Sequence, residues 1–235
     1  MALPTMDLPT HELEIPSTKK KIRFRPFLVK EEKVLLMALE TENEKNIRDA
    51  VFELLKACIS TRIKLENLAT FDLEYIFLNI RAVSVGEIVQ MTVTCRDDNE
   101  TQVKYNLNLT SAEVIFPEGH TNKIMLNDDL GVMMKYPSFD GFVEGQFAQN
   151  KDFDVIKVVA ESIDQIFQGE EVYDESTTTK KEFIKFVESL TNQQLEKIQA
   201  FFETAPRLEH SFKVTNPNTG VESEYTLRGL QSFFG

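Results

Sequence analysis

The chain has 235 residues, 42% apolar and 27% charged, which is enough to bury a core without a metal or disulfide and is not the composition of a disordered protein. Its net charge of −12 disfavours general nucleic-acid binding, because neutralising phosphates needs clustered Lys and Arg. No long apolar run is present to span a membrane and no apolar stretch follows a basic start, so the protein is expected in the cytosol of the cell that makes it.

Pro4, Pro9 and Pro16 disfavour helix in residues 1–18, which are expected to form an extended arm, mobile unless a partner holds it. Residues 19–30 then carry six Lys or Arg and no acid. Within them Ile22 and Phe24 alternate with Arg23 and Arg25, a short strand pattern that Pro26 ends near Phe27. Glu31 and Glu32 suit the first turn of a helix reaching about Leu39, where negative charge meets the positive end of the helix dipole. Ile47, Val51, Leu54, Leu55, Cys58 and Ile59 fall on one stripe of a second helix. Leu73, Ile76, Phe77 and Ile80 predict a third, with Asp72 as N-cap and Gly86 as its stop.

The period changes to two at Val89, Met91, Val93 and Cys95, and again at Val103, Tyr105, Leu107 and Leu109, so a hairpin is expected around the turn Arg96 to Thr101. Two short strands follow, Val114 to Phe116 and Lys123 to Leu126, and residues 137–150 read as a loop. Ile156, Val159, Ile163, Ile166 and Phe167 predict a helix stopped by Gly169. Thr179 with Glu182 and Thr191 with Gln194 are capping boxes that start two more, closed by Pro206. The strands Leu208 to Val214 and Val221 to Leu227 flank a turn at Asn216 to Gly220, and a tail with Leu230, Phe233 and Phe234 comes last. Helices and strands are segregated, so the expected class is α+β with antiparallel hairpins. The expected organisation is an arm over 1–18 and one domain over 19–235. That domain has a β-rich section at about 87–127 and a helical, then hairpin, section at about 151–235.

Chemistry-bearing patterns are sparse. His11, His120 and His210 fall in an arm, a turn and a strand without metal-ligand spacing, and the hairpin at Cys95 supplies one sulfur where a zinc ribbon needs four ligands. Cys58 and Cys95 sit in apolar registers and read as buried free thiols. No phosphate-binding loop or nucleophile elbow occurs, and the acid pairs Asp97-Asp98, Asp128-Asp129 and Glu170-Glu171 read as solvated turns and helix starts. No cofactor, metal or catalytic residue is assigned. The basic run Lys19 to Arg25, with Phe24 and Phe27, could neutralise phosphates and stack on bases. Set against an acidic body, it reads instead as an edge strand and a protein-docking segment. Phe139, Phe142, Phe147 and the Phe233-Phe234 pair lack an obvious home, in their own domain or on a partner.

Four segments carry a resemblance: IRFRPFLVKEEKVLLMALE, FDLEYIFLNIRAVSVGEIV with the hairpin after it, the pair Tyr136-Pro137, and LRGLQSFFG. In order and spacing they resemble the baseplate hub assembly proteins of T-even-type contractile-tailed phages, over most of the chain from about residue 15. The resemblance implies a non-enzymatic protein needed to build the central hub of the tail baseplate in the host cytoplasm, with hub or tape-measure proteins as partners. It acts either as an assembly factor or as a subunit that stays in the virion. The motif positions carried over are Arg25, Pro26, Phe27, Glu31, Lys33, Arg81, Gly86, Pro137, Gly229, Phe233 and Phe234, with Arg23 and Phe24 of the basic strand as further partner-binding candidates. For several a structural role stands beside the functional one: Pro26 fixes a corner, Gly86 and Gly229 relieve backbone strain, and Arg81 pairs with an acid.

Overall fold

The computed structural model describes residues 8–41, 43–137 and 155–233. In chain order the strands are β1 His11–Glu14, β2 Lys21–Phe24, β3 Ile88–Thr94, β4 Gln102–Asn108, β5 Glu113–Ile115, β6 Lys123–Met125, β7 Leu130–Met134, β8 Ile163–Gln168, β9 Glu171–Asp174, β10 Arg207–Thr215 and β11 Glu222–Arg228. The helices are α1 Val29–Glu40, α2 Glu44–Cys58, α3 Thr70–Val85, α4 Val155–Glu161, α5 Lys180–Glu188 and α6 Asn192–Glu203. Among the described residues all strand pairings are antiparallel, and the class is α+β. The chain divides into two compact units, one drawn from Met1–Leu65, Phe71–Ile115 and Arg207–Gly235, the other from Glu66–Thr70 and Phe116–Pro206.

In the first unit α3 is the central helix. Leu73, Ile76, Phe77, Leu78, Ile80 and Ala82 are all buried, more of its circumference than one stripe, as expected of a helix wrapped by other elements. The α2 stripe is buried as the periodicity predicts, through Val51, Leu54, Leu55 and Cys58. Gly86 ends α3 in a left-handed conformation, φ +119°, with its N–H donating to the Ala82 carbonyl at 3.1 Å. The β3–β4 hairpin packs on the β11-β10-β5 sheet through Val93, Phe212 and Val214, with Tyr105 stacked on Phe212 at 4.0 Å.

Two details at the start of this unit differ from the sequence reading. Part of the stretch 1–18 is extended as expected, but β2 of the same chain holds it, in the register His11↔Phe24 to Glu14↔Lys21. Asp72 is not the N-cap of α3; it lies inside the helix, fully buried, and accepts from the Ser17 N–H at 3.0 Å and from the Ser17 hydroxyl. A carboxylate near a helix start serves either role, and here the link spans 55 residues, tying the hairpin connection to α3.

The second unit is built on the four-stranded sheet β6-β7-β8-β9, covered by α4, α5 and α6. Its core comprises Val132, Met134, Val159, Ile163, Ile166, Phe183, Val187, Ile198 and Phe201. Both predicted capping boxes form, with the Thr179 and Thr191 hydroxyls accepting from the Glu182 and Gln194 N–H groups and the Thr179 and Thr191 N–H groups donating to the Glu182 and Gln194 side-chain oxygens. The helix expected over Ile156 to Phe167 is corrected: α4 stops at Glu161, and Ile163, Ile166 and Phe167 belong to β8. Apolar residues three and four apart fit a short buried strand as well as a helix, and pairing with β7 and β9 on both sides decides it. Neither β7 nor β9 was legible, because LGVMM is a continuous apolar run and EVYD is a four-residue edge. The loop expected over 137–150, and with it Phe139, Phe142 and Phe147, lies outside the described residues after Pro137.

Candidate partner-docking surface

The Arg25-Pro26-Phe27 corner is built where β2 runs into α1. Phe24 is buried at the end of β2, stacked on His11 at 5.5 Å and bridged to Ile59. Beyond it the Arg25 N–H donates to the Cys58 carbonyl at 3.0 Å, and its guanidinium donates to the Pro26 carbonyl at 2.8 Å and to Glu31 Oε1 at 3.2 Å. The other Glu31 oxygen accepts from the Leu28 N–H at 2.5 Å, supplying the reciprocal half of a capping box in which Leu28 has no oxygen to offer. The Phe27 N–H donates to Ser84 Oγ in α3 at 3.0 Å. One glutamate therefore joins the end of β2 to the first turn of α1, and one serine ties the corner to the central helix.

Burial raises the pKa of Glu31, but the bonds from Arg25 and the Leu28 N–H, with the Arg25 and Lys30 charges, outweigh it and hold the carboxyl below its usual range. A carboxylate with a depressed folded-state pKa stabilises the fold above its unfolded pKa and loses that contribution as pH falls through the folded one. Glu31→Gln is accordingly expected to cost about 1–2 kcal/mol at neutral pH. Its stability is expected to converge on the wild type as pH falls below the ordinary glutamate range, in thermal melts followed from pH 7 downward. A constant gap across that range would show that the charge of Glu31 contributes nothing. Arg23 differs in kind: its 2.9 Å bond to Glu12 joins two side chains more than half exposed, a pair of little energetic weight.

A second group of motif residues meets on the same helix. Arg81 donates to the Phe233 carbonyl at 3.4 Å across 152 residues, and Phe233 is 1% exposed. Gly229 makes the turn after β11 with φ +67°, and a Cβ there would stand 3.6 Å from Glu74 Oε1 of α3. Pro137 belongs to the other unit, next to Tyr136, whose hydroxyl meets His120 Nε2 at 3.0 Å and whose ring stacks on Phe201 at 5.5 Å. Phe234 lies outside the described residues.

Elsewhere the acid pair Asp97-Asp98 links two hairpin turns. Asn216 Nδ2 donates to Asp97 at 3.0 Å and to Asp98 at 2.9 Å, and the Thr219 hydroxyl donates to Asp97 at 2.5 Å. The bonds from Thr219 and Asn216 hold Asp97 below the usual carboxylate range. Burial pushes the Cys58 thiol up to about 11, against the nearby Arg25 charge, so at neutral pH it stays protonated and unreactive. Among the described residues no group of three or more His, Cys, Asp or Glu is placed to hold a metal ion.

Arg25, Glu31, Arg81 and Phe233 thus make contacts inside the first unit, and among the described residues a run of exposed apolar side chains that sequence reasoning did not single out stands on α1. Along the outer side of α1 Val29 is 79% exposed, Val34 53%, Leu36 53% and Met37 57%, with Lys33 exposed among them. Leu35 and Ala38 face inward. The signal was in the run Leu35-Leu36-Met37-Ala38-Leu39: consecutive apolar residues span more than half a helix circumference, and one packing face cannot cover them all.

The segregated helices and antiparallel sheets define an α+β protein. The family model described as T4 bacteriophage base plate protein matches residues 8–235, and the chain belongs to that family. No curated protein and no solved structure matches it.

Proposed function

We propose that this base plate family member acts in building the central hub of a phage tail baseplate, binding hub or tape-measure proteins as an assembly factor or chaperone, without a catalytic step, in the host cytoplasm. The observation that carries this reading is the outer side of α1, a helix inside the first of the four resembling segments that leaves Val29, Leu36 and Met37 to solvent. Exposed apolar side chains on a rigid helix are the usual anchors of a protein partner. The test is co-expression with the other baseplate proteins of the same phage, followed by size-exclusion chromatography. Co-elution with a hub or tape-measure protein is expected, and failure to co-elute in any pairing overturns the reading.

The second reading is a permanent subunit of the virion baseplate, since the same surface serves transient and lasting contacts alike. Mass spectrometry of purified particles separates the two: a fixed copy number favours the subunit, absence favours the assembly factor. A nucleic-acid module through residues 19–30 is disfavoured by the pairing of Arg23 with Glu12 and Arg25 with Glu31, and by the burial of Phe24, which takes one of the two rings there, Phe24 and Phe27, out of reach of a base. Salt-sensitive DNA binding abolished by neutralising Lys19 to Arg25 would reverse that preference.

A further inference from the structure

We infer that the outer side of α1 is a self-association surface, on which a second copy of this chain packs its own α1 antiparallel. Val29, Lys33, Leu36, Met37 and Glu40 are spaced four, three, one and three residues apart, which places them on one side of the helix. All five are exposed, whereas Leu35 and Ala38, on the opposite side, are buried against the rest of the unit. The apolar stripe continues past the helix start, where Leu28 is 36% exposed.

The charge order along this stripe selects the occupant. Lys33 and Glu40 are seven residues apart, within about 20° of each other around the helix, and Leu36 and Met37 lie between them. Read from one end the stripe runs cation, apolar, apolar, anion; read from the other it is its own electrostatic complement. A two-fold axis passing between Leu36 and Met37 places Lys33 of each copy opposite Glu40 of the other and the apolar side chains opposite each other, the self-complementary arrangement an isologous dimer requires. Neither charge is already engaged, for among the described residues no ion pair involves Lys33 or Glu40. A partner with a uniformly acidic face would meet Lys33 but be repelled by Glu40, and a uniformly basic one the reverse. The stripe is short and each copy carries a net charge of −12, so the association is of the weak, reversible kind.

Sedimentation velocity of the full chain over a concentration series is the test. The wild type is expected to pass from monomer to dimer with a dissociation constant of about 1–100 µM. Met37→Glu, which places a like charge on the two-fold axis, is expected to remain monomeric throughout. Lys33→Glu alone should weaken association about tenfold or more, and Lys33→Glu combined with Glu40→Lys should restore it to within about threefold of wild type, because both members of each cross-pair are reversed. All substituted side chains point to solvent, so unchanged far-ultraviolet circular dichroism and melting midpoint are expected and separate lost pairing from lost folding. A wild type that stays monomeric over the series overturns the proposal, as does a double reversal that fails to recover. So does a Met37→Glu chain that loses only its binding to another baseplate protein, which would assign the face to that protein. Both readings draw on this one face, but self-pairing is read by sedimentation of the chain alone and hub binding by co-elution, so the failure of one is distinguishable from the failure of the other.

Discussion

Phe233→Ala is expected to lower the thermal midpoint by roughly 10 °C, the consequence of losing about 3–5 kcal/mol from a chain of this size. The ring is almost completely buried, so its removal leaves a cavity as well as forfeiting the transfer free energy of the side chain. More depends on it than packing. The carbonyl of the same residue accepts from Arg81, whose pKa burial lowers, so a loosened 3-10 turn at Leu230–Phe233 exposes that guanidinium's surroundings and dissolves a link across 152 residues. Phe233→Leu, which keeps most of the volume, should recover more than half of the loss. Circular dichroism melts of the three proteins check this; a midpoint shift below about 2 °C for Phe233→Ala would mean the ring is not docked.

The second large effect is expected in the other unit, at Gly131→Ala. A Cβ at this position of β7 would stand 2.3 Å from the Phe167 ring of β8 and 2.8 Å from the Ile124 backbone carbonyl of β6. The ring can turn away at the cost of its packing, but the carbonyl is fixed by the ladder, so the strands must part. A cost of about 2–4 kcal/mol is expected, at the upper end of overpacking effects. Phe167→Ala should be milder on its own. The double variant should be less destabilised than the sum of the singles, since without the Phe167 ring the added methyl has only the Ile124 carbonyl left to clash with. Urea titrations of the four proteins measure the coupling, and strict additivity would show that Phe167 does not lie over Gly131.

Legibility differed along the chain for physical reasons. Features encoded by neighbours in sequence were read correctly: the stripe of α2, the capping boxes at Thr179 and Thr191, the β3–β4 and β10–β11 hairpins, and the stop at Gly86. Each depends on residues within a turn or two of each other. What failed depends on partners far away. Ile163, Ile166 and Phe167 become a strand only because β7 and β9 flank them, and Asp72 becomes a tether only because Ser17 reaches it. The candidate positions behaved in the same way. Arg25, Glu31, Arg81 and Phe233 stood out as motif residues, but that they are spent on internal junctions follows from α3 lying beneath them, while the exposure of Leu36 and Met37 is fixed by which side of α1 that packing leaves over.

The division of the chain also sets a timetable. The first unit takes its pieces from both sides of residues 116–206, and its β10 strand pairs with β5 while its last 3-10 turn docks on α3. During synthesis the ribosome delivers Arg81 well before Phe233, a delay on the order of ten seconds at ordinary elongation rates. For that interval the side of α3 that Phe233 docks on lacks a cover that has yet to be made, whereas all of the second unit except Glu66–Thr70 emerges as one continuous run. A nascent chain of this layout therefore offers its stickiest surfaces while still attached to the ribosome, and its most dangerous moment for misassembly comes before it is released.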